Sequence, residues 1–564
     1  MRWRHLDRSL LLWLLIAGVL LALVVNPLVR LLWASVHGTA GFTLDNYVTA
    51  YSRWRYLEAL GNSLVLGLAV GLLCIVFGVP MAWAVSRTDM PGKGLVWAAV
   101  LGTFIVPSYL SAVAWILLAG PNAGWLNRGW MALTGAAAGP FNVYSMSGLV
   151  LVIAASSFPY MFVFTRSALD LISSEMEDAA TTLGAGIVRT TLRVTLPLTL
   201  PAIMAAFIVE FLEAIALFGA PALIALPGRF QVMTTTLWQF FEFPPRVEVA
   251  AAYAMPLLLV TVLLFWLQQR IIARKGYVAL TGKGGERRPV RLGGWRWPLL
   301  GYCLLVTSLG FFMPMVVVLQ AAFAKAWGRG FSLDNLTLHN LRFVLVDQPL
   351  TRAATVHTFV YGGVSAALAL ALALAIAYIV RRGLVPFGRA LAYVAMAPFV
   401  IPGIVLAIGF YAAYTSPPLV LYGTAWILIL AFTTRFLPIA YANSDAALRS
   451  INPELEDAVR ILGGSRALAL RRVVTPLLQR GLAGAFILVF IPATRELSSA
   501  IFLYTTGTQV LSVLLFDKSD EGNFELLSSI GLVLVVVTVA LVMIGFRVIG
   551  RDFMLRRPST AVNA

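Results

Sequence analysis

Four ionisable side chains stand where an apolar sequence has no ordinary place for them. Glu210 and Glu213 fall in one hydrophobic run, and Arg495 and Glu496 fall in another. Residues three apart on a helix share a face, so the two glutamates are expected along one side of one helix. A charge at the centre of hydrocarbon costs about 2.5–3.5 kcal/mol on insertion scales, so such residues line a pathway or neutralise one another. Two chemistries follow. The carboxylates can form a transient, low-affinity relay for a cation, or Glu210 or Glu213 can make a structural salt link with Arg495. Covalent and metal chemistry find no footing elsewhere. Cys74 and Cys303 lie in apolar runs without CxxC spacing and read as small packing residues. His5, His37, His339 and His357 are scattered, with no HExxH pattern, so neither a metal site nor a catalytic residue is expected.

The elements that position these charges follow from composition. Of 564 residues, 60% are hydrophobic and 12% charged. A soluble domain is about 45–50% apolar and about 25% charged. With half the usual charge, a chain this long cannot cover its surface with polar groups, which makes it an integral membrane protein set in a lipid bilayer. A helix crosses about 30 Å of hydrocarbon in about 20 residues. Twelve runs meet that length: 10–34, 59–85, 95–119, 147–168, 201–224, 249–271, 298–323, 355–380, 390–414, 419–441, 477–503 and 526–549. The first runs well past a signal-peptide core and is expected to be a retained span. The net charge of +17 comes from basic residues at the ends of apolar runs. Arg2, Arg4, Arg381, Arg382 and Arg389, the 273–297 connector and the C-terminal arginines therefore predict cytoplasmic termini. Arg53, Arg55, Arg128 and Arg229 on the opposite loops make this a bias rather than a clean rule. No basic helix with interleaved aromatics lies outside the apolar runs, so no nucleic acid is expected as a partner.

Internal repetition gives the architecture. Phe42-Thr43-Leu44-Asp45-Asn46 recurs as Phe331-Ser332-Leu333-Asp334-Asn335. Pro91 matches Pro386, Phe104-Ile105-Val106-Pro107 matches Phe399-Val400-Ile401-Pro402, and Phe158-Pro159 sits opposite Leu437-Pro438. The chain thus divides into a first repeat, 1–272, a cytoplasmic connector, 273–297, and a second repeat, 298–564, each of six spans. Parallel repeats of this kind place a pathway between the halves. A duplicated scaffold without transport is the alternative.

A second duplicated segment lies between spans four and five of each half. One copy reads Ser173-Ser174-Glu175-Met176-Glu177-Asp178-Ala179-Ala180-Thr181-Thr182-Leu183-Gly184, with Arg193 and Pro197 beyond. The other reads Asn452-Pro453-Glu454-Leu455-Glu456-Asp457-Ala458-Val459-Arg460-Ile461-Leu462-Gly463, with Arg472 and Pro476 beyond. Ser173 or Asn452 suits an N-cap, Pro453 suits a helix start, and acids fill the first turn. Gly184 and Gly463 suit a helix end that needs positive φ. Each copy, about 173–185 and about 452–464, therefore reads as a short capped helix too small to fold alone and built to dock. An interfacial helix on lipid is disfavoured, because its acids would face anionic headgroups.

This Glu-Asp-Ala-(Ala/Val)-x3-Gly pattern, with Pro thirteen residues after the Gly, resembles the EAA loop of binding-protein-dependent ABC-importer permeases. Two copies in one twelve-span chain resemble the fused inner-membrane permeases of ferric-iron, thiamine and related systems. The resemblance implies an all-α, type I importer fold in which each short helix is a coupling helix seated on an ATP-binding subunit. It implies coupling through Glu177, Asp178, Ala179, Ala180 and Gly184, and through Glu456, Asp457, Ala458 and Gly463. It also implies two copies of an ATP-binding subunit and a periplasmic solute-binding protein as partners. The chain itself is expected to bind no cofactor, with ATP and Mg on the partner subunits. Asp178 and Asp457 stand where the family has Glu, and Arg480 replaces the proline present as Pro201, so unequal docking contacts are expected. Segments from Glu213 to Pro221 and from Arg495 to Phe502 are similar to ferric-iron permeases, with related segments in thiamine, phosphonate and polyamine permeases. The nearest match to a nucleotide loop, Gly276 to Lys283, has five residues between its glycines and Gly284 in place of Ser or Thr. An ion-coupled secondary transporter or channel would share the spans and the duplication but would not need two docking helices in register. A membrane enzyme would need a nucleophile–base pair, which the sequence lacks.

Overall fold

The computed structural model describes residues 8–38, 41–172, 175–242, 244–274 and 289–549. Arg2, Arg4, Ser173, the connector stretch 275–288 with its near-miss nucleotide loop, and Arg551, Arg556 and Arg557 lie outside the described residues. The fold is almost wholly helical. In the first half the helices that matter are α1 (Leu10–Ser35), α2 (Trp54–Arg87), α3 (Lys93–Ile105), α4 (Ser108–Ala119), α5 (Met146–Leu171), α6 (Glu175–Thr182), α7 (Ile187–Ala216) and α8 (Val247–Arg274). The second half repeats them as α9 (Gly293–Ala322), α10 (Pro349–Arg381), α11 (Gly388–Phe399), α12 (Gly403–Tyr414), α13 (Ala425–Arg449), α14 (Glu454–Ile461), α15 (Thr475–Thr494) and α16 (Phe524–Ile549).

Among the described residues, nine helices are long and apolar enough to cross a membrane, or up to twelve if each of three bent pairs is one span. The runs 95–119 and 390–414, expected as straight spans, are broken. The α3–α4 pair bends by 104° and the α11–α12 pair by 111°. Each break falls at the repeated Phe-x-x-Pro segment. Pro107 and Pro402 have no N–H to give and force the preceding residue out of helical geometry, with Val106 at φ −74°, ψ 122°. The run 419–441 also differs, because α13 continues to Arg449. Its polar tail is tolerated because Asp445 accepts hydrogen bonds from Arg381 (2.6 Å) and Arg449 (2.8 Å).

Proline also explains a quieter irregularity. Five wide turns, Leu21–Val25, Thr191–Thr195, Ser308–Phe312, Phe343–Asp347 and Leu470–Val474, each end two residues before a proline. In each, the N–H just before the proline reaches back five residues instead of four, for example from Asn26 to the Leu21 carbonyl. A proline ring collides with the carbonyl four residues back, and the wider turn moves that carbonyl aside.

The halves are interlocked rather than merely adjacent. α1 packs against α12, and the end of α9 packs against α4, so each half's first helix lies on the other half. Close approach depends on glycine. A Cβ on Gly409 would meet the Pro27 carbonyl oxygen at 2.7 Å, and one on Gly102 would meet the Phe311 ring at 2.7 Å. The Tyr414 hydroxyl donates to the Ala22 carbonyl (2.5 Å) across the same contact. Gly409→Ala must displace backbone at this seam and is expected to destabilise the chain by about 1–3 kcal/mol. Gly61→Ala, with open space around its Cβ position, is expected to be neutral or better. Thermal unfolding of both variants in detergent checks the contrast.

Candidate functional site

Two features carry charge in places that need explaining: the short acid helices at one end, and a layer of charge between the halves.

The short helices α6 and α14 are near copies in geometry. Gly184 and Gly463 sit at φ +81° and +82°. Ala185 N–H donates to the Ala180 carbonyl (3.0 Å) and Gly464 N–H to the Val459 carbonyl (2.9 Å), closing both ends in the same left-handed motif. At the other end of α14, Asn452 Oδ1 accepts from the Glu454 N–H (3.1 Å). Asp178, Ala179, Asp457 and Ala458 face outward, beside Leu183 and Leu462, each 88% exposed.

Glu177 and Glu456, grouped with those residues from the sequence, face the other way. Glu177 accepts from Thr195 Oγ1 (2.7 Å) and lies 3.5 Å from Arg87, the last residue of α2. Arg87 also donates to the Leu169 and Ile172 carbonyls at the end of α5 (2.7 and 2.8 Å). Glu456 accepts from Tyr378 (2.8 Å) and from Arg382 Nε (2.8 Å) and Nη2 (2.5 Å), at the end of α10. These two glutamates therefore tether each short helix to a long span. Sequence reading missed their arginine partners, although Arg87 and Arg382 hold the repeat offset of 295.

The charge layer lies at the breaks of the bent helices. Arg495, from the second half, donates to the Phe104 carbonyl at the α3–α4 break. Arg435, from the middle of α13, donates to the Ile401 carbonyl at the α11–α12 break (2.5 Å). Each break thus has an arginine on a carbonyl that proline geometry leaves without a helical partner. Glu213, on the last turn of α7, interacts electrostatically with both Arg495 and Arg435 across the interface. Glu496 accepts from the Ser499 N–H (2.9 Å) and hydroxyl (3.1 Å). A Cβ on Gly403 would lie 3.3 Å from Glu496 Oε1 and 3.4 Å from Arg435 Nε, so both groups converge on the α12 start. Tyr109 and Tyr160 border the same layer. Arg435 had a visible signal, a charge inside an apolar run, that sequence reading passed over.

Glu210 departs from expectation. It shares a helix turn with Glu213 but is fully buried inside the first half, against Ser157 and Cys74. Packing between α2 and α5 removes it from the interface, so it cannot meet Arg495. Beyond the layer, away from the short helices, aromatic rings join the halves. Phe218 and Phe516 lie 5.4 Å apart, Phe241 and Phe502 4.8 Å, and Phe241 and Tyr411 5.2 Å.

The two tethers differ in strength. Arg382 places two N–H groups on Glu456, whereas Arg87 is divided between two carbonyls and a longer contact to Glu177. A hydrogen bond to a charged group contributes about 1.5–3 kcal/mol. Glu456→Gln is therefore expected to speed amide exchange over 454–464 by at least about tenfold, and Glu177→Gln to speed it less over 175–185. Equal responses would contradict this ranking.

Known proteins resemble the chain along most of its length. Residues 74–277 and 363–552 each match the family described as "Binding-protein-dependent transport system inner membrane component". Ferric transport system permease protein FbpB of Actinobacillus pleuropneumoniae is 25% identical over 546 residues, covering 92% of this chain and 75% of its own. Putative 2-aminoethylphosphonate transport system permease protein PhnV of Salmonella paratyphi A is 28% identical over 240 residues, covering 41% of this chain and 87% of its own. Among solved structures, a chain of a bacterial ABC transporter importing the acidic polysaccharide alginate overlaps 48% of this chain and 99% of its own, with 17% identity and a TM-score of 0.39. Matched twice, over most of its length, the chain belongs to the family of inner-membrane components of binding-protein-dependent transport systems.

Proposed function

We propose that the chain is the permease subunit of an ATP-driven importer and carries ferric iron across the inner membrane. The observation that carries the transport mechanism is the pair of short helices, alike in acidic first turn, glycine end and outward residues, at equivalent places in two repeats. Two such surfaces suit two copies of an ATP-binding subunit, which would hold ATP and Mg and perform the hydrolysis. Asp178, Ala179, Leu183, Asp457, Ala458 and Leu462 would make the contact, with both termini and both short helices on the cytoplasmic side. A periplasmic solute-binding protein would dock on the opposite face, over loops that include 120–146. Closure of the ATP-binding subunits would draw α6 and α14 together. Their tethers would then pull on α2 and α10 through Arg87 and Arg382, rocking the halves and parting the aromatic rings. Hydrolysis would reset them.

Ferric iron is supported by the ferric permeases that match along nearly the whole chain, and by carboxylates at the interface. Hard Fe(III) prefers oxygen ligands, and a pathway needs weak sites because the ion must leave. Transport of 2-aminoethylphosphonate is the second reading, supported by the phosphonate permeases that match 41% of the chain.

Uptake of labelled ferric iron by cells with and without the gene tests the assignment, with labelled 2-aminoethylphosphonate and thiamine alongside. Loss of iron uptake alone is expected. In cells with normal levels of the assembled complex, Glu213→Gln or Glu496→Gln is expected to lower uptake by about tenfold, the loss of one charge-assisted contact. Unchanged uptake in both would overturn the part given to these carboxylates in the pathway.

A further inference from the structure

Resting on the importer reading, we infer that the charge layer accepts a species bearing a cationic centre and an oxyanion together, not a bare cation. Ferric iron would pass as a metal–oxyanion complex. A zwitterion with the same two kinds of charge would fit equally.

The charges of the layer set this requirement. Glu213 and Glu496 carry at most two negative charges, and Arg435 and Arg495 carry two positive ones. Carboxylates alone would suit a metal ion, but here they only offset the guanidinium groups. The arginines are not used up by the carboxylates. Among the described residues, no nitrogen–oxygen separation of 4.0 Å or less pairs either arginine with Glu213 or Glu496. Each arginine gives one N–H to a carbonyl at a helix break, and both remain only half-buried. A guanidinium held by one nitrogen still presents a planar fork, which matches an oxyanion in a bidentate way.

The backbone leaves this balance unchanged. Helices α4 and α12 both start at the breaks, after Pro107 and Pro402, and neither start has a side-chain cap. The half positive charge at each start is matched by the half negative charge at the ends of α3 and α11, which fall at the same breaks. The Gly403 start lies within reach of Glu496 and Arg435 in the same layer. A trivalent ion without its own anion would therefore meet a layer with no net negative charge to offset it. With an oxyanion attached, the metal can approach Glu213 and Glu496 while the anion lies on the arginine forks.

The test uses the full complex in proteoliposomes, with the binding protein loaded with 55Fe(III) and 32P-phosphate in carbonate-free buffer without other polyvalent oxyanions. ATP-driven entry of both labels in equal molar amounts is expected. Arg435→Gln and Arg495→Gln are expected to lower this joint uptake by about tenfold each, and Arg435→Lys and Arg495→Lys by less, because the charge is kept. Entry of 55Fe with 32P left outside overturns the inference while the ferric assignment stands. Entry of labelled 2-aminoethylphosphonate in place of iron, with the same dependence on the arginines, overturns the ferric assignment and upholds the inference. Uptake indifferent to both Gln variants overturns the inference for either substrate.

Discussion

Hydrocarbon offers no water to a bare peptide group, so every break in a membrane helix must be repaired by the protein itself. The molecule is organised around two such breaks. Pro107 and Pro402 bend their helices by more than a right angle in the middle of the fold. An arginine from elsewhere in the chain then donates to a carbonyl at each break. Because those arginines are charged, carboxylates gather near them, and the layer between the halves acquires its character. The wide turns before Pro27, Pro197, Pro314 and Pro476 are a milder form of the same repair, made within the helix.

Duplication has kept geometry more faithfully than chemistry. Both short helices close with the same glycine motif and both are held by a buried glutamate. The holding groups are different: Thr195 and a shared Arg87 in one half, Tyr378 and a dedicated Arg382 in the other. Buried ion pairs gain strength only when their remaining donors and acceptors are satisfied, and the second tether meets that condition better. The breaks show the same freedom. Arg435 serves its own half, whereas Arg495 reaches across to Phe104 of the other half. That crossing makes the interface a shared structure, as does the exchange of first helices that brings α1 onto α12.

Much of this architecture is legible in the order of the residues. Apolar length identifies the spans, and offsets near 279 and 295 identify the duplication. Gly184 and Gly463 announce positive φ because only glycine adopts it without cost, and Pro107 and Pro402 announce an interruption because proline lacks an N–H. These are properties of a residue and its immediate neighbours, so a linear reading captures them. The repeated Phe-x-x-Pro segments are visible as a repeat, but their meaning as sharp breaks within single spans is not. A proline can also be absorbed inside a continuous helix, as Pro159 and Pro438 are.

Tertiary structure alone decided what each buried charge meets. Glu210 and Glu213 are one turn apart, yet one is sealed against Ser157 and the other interacts electrostatically with two arginines from the second half. Glu177 and Asp178 are adjacent, yet one turns inward to Arg87 and the other outward. Arg435 joins the layer only because α13 carries it to the α11–α12 break. Helical periodicity predicts which residues share a face but not what is packed against it. That depends on helices dozens to hundreds of residues away, and the energy of a charge in low dielectric depends almost entirely on those partners. The sequence by itself determined a duplicated, membrane-spanning chain with two short glycine-ended helices in register; packing decided which of its charges face a shared interface.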